Sequence, residues 1–148
     1  MTLPMEKNLM QKNNDVLHLA AELNNLEQVL AFVDGYLEAA DCSMKTQMQI
    51  EVAVEEIYVN IAHYAYKTGT GDAYITVRIE EDPKTVEIEF RDTGMPFDPT
   101  ANPDPDVTLS AEKRKIGGLG IFMVKKSMDD IQYRRENGCN ILKIRKKL

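Results

Sequence analysis

Residues 44–66 carry two stripes, and a segment patterned this way can fold in few ways. At about 100° per residue, Ile50, Val54, Ile57, Ile61 and Ala65 fall on one arc. Glu56, Asn60 and His63 fall on a different arc, about 60° wide. The apolar stripe must be buried, and the compact polar stripe beside it is left at the edge of that contact. Such a helix lies on a sheet and lines a pocket. Ser43, just ahead of it, is suited to cap its first turn.

The rest of the chain supplies the sheet. Residues 16–22 alternate and read as a first strand. Asn24-Asn25 then offers an N-cap, and Leu26, Val29, Leu30, Val33 and Leu37 recur at helical spacing. Gly35 weakens that helix by up to about 1 kcal/mol relative to alanine. The helix breaks over residues 40–43. After the long helix, Thr68-Gly69-Thr70-Gly71-Asp72 reads as a loop. Residues 73–80 and 85–91 form two strands joined by Glu81-Asp82-Pro83-Lys84. Tyr74, Thr76 and Arg78 alternate with Ile75, Val77 and Ile79, which predicts an antiparallel pair with one wet face. Residues 94–115 hold Pro96, Pro99, Pro103 and Pro105 with little periodicity, the pattern of a lid. Gly117 or Gly118 opens a helix through about Met128, and residues 131–135 and 140–146 form a hairpin around Asn137-Gly138. The order βααββ, lid, αββ predicts an α+β two-layer sandwich, a mixed or antiparallel sheet covered on one face by helices. Residues 1–14 read as a flexible arm, and residues 15–148 as a single domain.

Composition narrows the function. A chain of 148 residues with 43% apolar content can build one sizeable core. A net charge of −6 argues against a nucleic-acid binder, which would normally carry a basic face. The basic residues cluster late, around Lys113-Arg114-Lys115, Lys125-Lys126, Arg134-Arg135 and residues 143–147, where they can touch phosphates or simply face solvent. No apolar run approaches the roughly 18 residues of a membrane span, and the N-terminus lacks a signal-peptide core. Cys42 and Cys139 fit free thiols in a reduced, cytoplasmic setting. There is no Cys/His cluster with zinc spacing, and His18 and His63 are the only histidines.

Three short motifs carry the chemistry. Glu56 and Asn60 are four apart and point the same way. A carboxylate and an amide oxygen are hard ligands suited to Mg²⁺. Glu56 is equally suited to deprotonate an attacking hydroxyl. His63, one turn on, is placed to reach a phosphate oxygen. Asp92 ends a strand, where its carboxylate can accept from an adenine amino group, and Gly94 leaves room for a flat base to approach backbone. Gly117-Gly118-Leu119-Gly120 places bare amides at a helix start, which favours anions. No Lys-Ser or Lys-Thr follows these glycines, and they do not directly follow a strand. The Walker and Rossmann patterns are therefore excluded. Lys113, Arg114 and Lys115 precede them and are placed to close on phosphates.

Taken together, the motifs resemble those of a family. Glu56-Ile57-Tyr58-Val59-Asn60-Ile61-Ala62-His63 resembles the N-box of the GHKL ATPases, and residues 92–99 resemble their adenine-binding box. Gly117-Gly118-Leu119-Gly120-Ile121 resembles the glycine box after the ATP lid. The ending, from Met128-Asp129-Asp130 through Tyr133-Arg134 to Gly138-Cys139-Asn140, is similar to the small anti-sigma-factor branch, whose members are serine-protein kinases. The resemblance spans about residues 15–147 and implies the Bergerat-type ATP-binding fold. It implies Glu56 as the base, Asn60 on Mg²⁺ and His63 near the phosphates. Asp92 would bind adenine with room from Gly94, and Gly118, Gly120 and Lys115 would meet phosphate. Asn140 departs from the family, which often has threonine near the base at that position.

The expected function is then an anti-sigma regulatory factor. It would bind ATP and Mg²⁺, phosphorylate a serine or threonine of an anti-sigma-factor antagonist, and sequester a sigma factor as a homodimer. The partners and the dimer rest on the resemblance alone. A nucleotide-gated module without transfer has no need of Glu56. A detached histidine kinase domain would need a helical hairpin presenting a histidine, and a topoisomerase-like ATPase would need further domains.

Overall fold

The computed structural model describes residues 15–66, 71–101 and 118–148. In chain order the elements are β1 (Val16–Ala20), a short 3₁₀ turn (Leu23–Asn25), α1 (Leu26–Ala39) and α2 (Met44–Tyr64). Then come β2 (Asp72–Glu80), β3 (Thr85–Asp92), α3 (Gly118–Ser127), β4 (Asp130–Glu136) and β5 (Cys139–Lys147). The expected order of helices and strands is present; the expected arm over residues 1–14 and the expected lid beyond residue 101 lie outside the described residues. The sheet is antiparallel throughout, in the order β1-β2-β3-β5-β4.

Local chemistry accounts for most of the boundaries. The Ser43 hydroxyl accepts from the Thr46 amide at 3.2 Å and caps α2 as expected. Asp41 sits at φ 60 just after α1, and the Cys42 amide reaches back to the Leu37 carbonyl at 3.0 Å. That left-handed residue stops the helix. Asn137 and Gly138 at φ 52 and 76 make the tight turn joining β4 to β5. The expected N-cap needs correcting. Asn25 stands at the N-cap of α1, but its side chain makes no capping bond. Its amide donates instead to the Ala20 carbonyl at 2.8 Å, tying the helix start to the end of β1.

Alternation along the strands sends Ile75, Val77, Ile88, Phe90, Leu142 and Ile144 to the helix side, where they are buried. Val29, Val33 and Leu37 of α1 and Ile50, Val54, Ile57 and Ile61 of α2 close over them. At about 2–5 kcal/mol per Leu- or Ile-to-Ala truncation, this core dominates the stability. The opposite face is polar: Glu87 is held there by Arg145 at 2.9 Å and lies 3.5 Å from Arg78. Tyr58 of α2 is fully buried, and its hydroxyl lies 2.7 Å from the Glu22 carbonyl and accepts from the Glu22 amide at 3.1 Å. The long helix is thus fixed to the β1 end as well as to the sheet.

Candidate nucleotide site

Where α2 crosses β3 and β5, its polar stripe meets the strand ends. A cleft opens there, with Ile57, Ile61 and Ala65 on one wall and Phe90 and Leu142 as its floor. Phe97 and Pro99, from the chain leaving β3, and Tyr133 of β4 complete it. Three polar side chains enter this apolar slot: Asn60, Asp92 and Asn140, each no more than 9% exposed. An apolar slot with a few fixed polar groups is how small-ligand sites are built.

Asp92 and Asn140 face each other across β3 and β5 in the strand register. Asp92 Oδ1 accepts from the Gly94 amide at 2.9 Å and from Asn140 Nδ2 at 2.9 Å. Oδ2 takes no hydrogen bond among the described residues. Burial raises the carboxyl above the usual aspartate range, opposed by those two bonds and by the nearby Arg135 charge. The chain after Asp92 is pinned on every side. The Gly94 carbonyl accepts from Arg135 at 2.8 Å, the Met95 amide donates to the Ala65 carbonyl at 2.8 Å, and the Met95 carbonyl accepts from Asn140 at 2.7 Å. Gly94 is required by this closure. A Cβ there would overlap the Ala65 backbone, so the space it leaves is filled by the end of α2.

The other end of the cleft is looser. Glu56 is partly buried, and burial raises its carboxyl, opposed by a hydrogen bond from Asn60 and reinforced by the Glu55 charge. Gly120, in the first turn of α3, packs against it so closely that a Cβ would overlap the carboxyl group. The glycine-rich helix start and the Glu–Asn pair are therefore neighbours in space. His63 is not brought in. It is exposed, its ring rests near Tyr64 at 5.9 Å between centroids, and it does not line the cleft. Gly118 begins α3. Lys115, with Gly117, Lys113 and Arg114, lies outside the described residues. Tyr133, Arg135 and Phe97 were not singled out as site residues. The Asn137-Gly138 turn could have placed Arg135 opposite Asn140, since it fixes the hairpin register.

Among the described residues no group of three or more His, Cys, Asp or Glu could hold a metal. Asn60, buried and beside Glu56, offers a single hard oxygen donor of the kind Mg²⁺ takes. No helix among the described residues is long and apolar enough to cross a membrane.

An antiparallel sheet with three helices on one face, and an apolar slot with a few polar groups beneath the longest of them, is the architecture of a GHKL-type ATP-binding domain. The chain belongs to the histidine kinase-like ATPase domain family, which matches residues 19–146. Serine-protein kinase RsbW of Listeria monocytogenes serovar 1/2a is 31% identical over 116 residues, covering 74% of this chain and 72% of that protein. Serine-protein kinase RsbW of Bacillus cereus (strain G9842) is 30% identical over 97 residues, covering 63% of this chain and 59% of that one. A chain from the SiaB-SiaC complex of Pseudomonas aeruginosa superposes with a TM-score of 0.58 at 15% identity, over 100% of this chain and 98% of that chain. That likeness concerns the fold alone.

Proposed function

We propose that this protein is an ATP-dependent serine/threonine protein kinase that acts as an anti-sigma regulatory factor. It phosphorylates an anti-sigma-factor antagonist and sequesters a sigma factor, in the cytoplasm and as a homodimer. The observation that carries the kinase reading is Glu56: a carboxyl raised by burial, hydrogen-bonded by Asn60 and packed on Gly120. A base of raised affinity for protons, placed beside a helix start suited to phosphate, is what phosphoryl transfer to a hydroxyl requires. The serine-kinase reading is further supported by relatives named serine-protein kinase RsbW, and the partner reading by the resemblance of the chain's ending to the anti-sigma-factor branch.

In this reading Asp92 accepts from the adenine amino group, and Phe90 and Leu142 supply the apolar floor. Gly118 and Gly120 expose amides to the phosphates, with His63 and Lys115 as further phosphate contacts. Asn60 holds Mg²⁺, which when bound neutralises charge building on the transferred phosphoryl group. Glu56 takes the proton from the attacking hydroxyl. A module that binds nucleotide without transferring phosphate would have no use for a desolvated carboxyl at this point.

The test is incubation of the pure protein with Mg-ATP labelled on the γ-phosphate and with antagonist-like proteins of the same genome, alongside calorimetry of ATP binding. Label on a serine or threonine is the expected result. ATP binding without transfer to any of them would reduce the protein to a nucleotide-gated module, and absence of binding would overturn the site.

A further inference from the structure

Asn140 stands where the family often has threonine near the base, and the structure gives it a different connectivity. Its amide nitrogen donates to Asp92 Oδ1 at 2.9 Å and to the Met95 carbonyl at 2.7 Å. Its amide oxygen accepts from the Tyr133 hydroxyl at 2.5 Å and from the Phe97 amide at 3.3 Å. A primary amide has two donor hydrogens and two acceptor lone pairs, so all four are committed. The orientation is also determined. A flipped amide would set donors against the Phe97 N–H and an oxygen against both the carboxylate and a carbonyl. Asn140 is buried and has nothing left to offer a base.

We propose that Asn140 is the positioning residue for nucleotide-base recognition. It occupies Asp92 Oδ1 and fastens residues 95–97, so that Oδ2 alone faces the base as a fixed acceptor and selects purines bearing an amino group at the 6-position, where guanine carries a carbonyl. The inference rests on the nucleotide reading above and adds to it a residue that acts only through Asp92. Two donors on one oxygen prevent the carboxylate from rotating. The same amide joins the carboxylate to the chain leaving β3, so the base site and the first residues after it form one rigid piece. Tyr133 from the edge strand completes the arrangement, and Arg135 beside it holds the Gly94 carbonyl.

The test compares wild type, D92N, N140L and N140T by calorimetry with ATP and GTP across pH 5–8 and by thermal melting. N140L should fold and bind ATP at least ~10-fold more weakly, about 1.4 kcal/mol. Its preference for ATP over GTP should narrow. The pH below which ATP affinity falls should move up, because the carboxylate loses one of the donors that favour its charged form. N140T can restore the bond to Asp92 but cannot also span to Met95 and Phe97, so it should recover part of the affinity and the preference. If N140L does not fold, N140T carries the test, with the same two shifts in weaker form. A purely structural residue would lower melting and leave the pH profile and base preference of the folded protein unchanged, which overturns the proposal. Wild type that fails to bind ATP overturns the nucleotide reading itself. Loss in D92N with wild-type behaviour in both Asn140 variants overturns only the role of Asn140.

Discussion

The two ends of the cleft are built on different principles. At the base end, every polar atom of Asn140 and the backbone around Gly94 are committed to bonds inside the protein, and the glycine abuts helix backbone that cannot yield. At the opposite end, Glu56 is held by one amide and pressed by Gly120 at the tip of its own flexible side chain. One end is rigid before any ligand arrives. The other has one movable carboxyl. In the function proposed above, the same fold would put recognition on strands and chemistry on a side-chain tip.

The largest break in this contrast is expected at Glu56. Glu56→Gln keeps the size and the bond from Asn60 but removes the base. Phosphate transfer should fall about 100- to 10,000-fold with ATP affinity preserved; equal loss of both would show that Glu56 binds rather than abstracts. At the opposite end, Asp92→Asn should do the reverse. Its Oδ1 can still accept from Gly94 and Asn140, so the interior is kept. The outer atom becomes a donor facing the amino group it should accept from. ATP affinity should drop by roughly 1.5–3 kcal/mol, about 10- to 150-fold, with little change in melting. A collapse in melting would make Asp92 a purely structural residue.

The two glycines sharpen the comparison. Gly94→Ala drives a methyl into the Ala65 backbone and should cost about 1–3 kcal/mol of stability, read as a lower melting temperature. Gly120→Ala meets only the end of a flexible side chain and gains helix propensity of up to about 1 kcal/mol. Melting should hold or rise, yet the displaced carboxyl should cost transfer ~10- to 100-fold. If Gly120→Ala melts low and transfers normally, the two ends do not differ as described.

How much of this the sequence reveals depends on the range of the interaction. The Ser43 cap, the strand alternation and the Asn137-Gly138 turn are local chemistry, so the elements and their order follow from the residues. The family motifs mark Glu56, Asn60, Asp92 and the glycines. What brings Asp92 to Asn140 is a register between strands 48 residues apart, set by the whole sheet. A sequence read locally has no access to it, and Asn140 stands out only as a departure from threonine. The reason for each glycine was equally hidden, because it is the neighbour that fills the space. His63 shares the polar arc of Glu56 and Asn60 yet is exposed and does not line the cleft, because the arc sets a side chain's direction and not its distance from the sheet.

The smallest expected effects are in pH dependence, and they separate the site from the rest of the molecule. Asp92 is raised when folded, so folded protein binds that proton more tightly than unfolded protein does. Stability should fall as pH climbs from the ordinary aspartate range through the folded value. ATP affinity should rise over the same window, because Oδ2 accepts only when ionised. Glu51, on the seam between α1 and α2, is pushed up to about 7, chiefly by a shared hydrogen bond with Asp34, then by burial and the charges of Asp34 and Glu38. Its sign is the same, so it too removes stability as pH rises from the ordinary glutamate range to about 7. It does not line the cleft. Glu51→Gln should therefore flatten the pH dependence of melting over that range and leave the pH dependence of ATP affinity untouched. Asp92→Asn should abolish the acid limb of affinity. A shift of that limb in Glu51→Gln would mean that the helix seam and the base site titrate together, and the rigidity assigned to the base end would extend through α2.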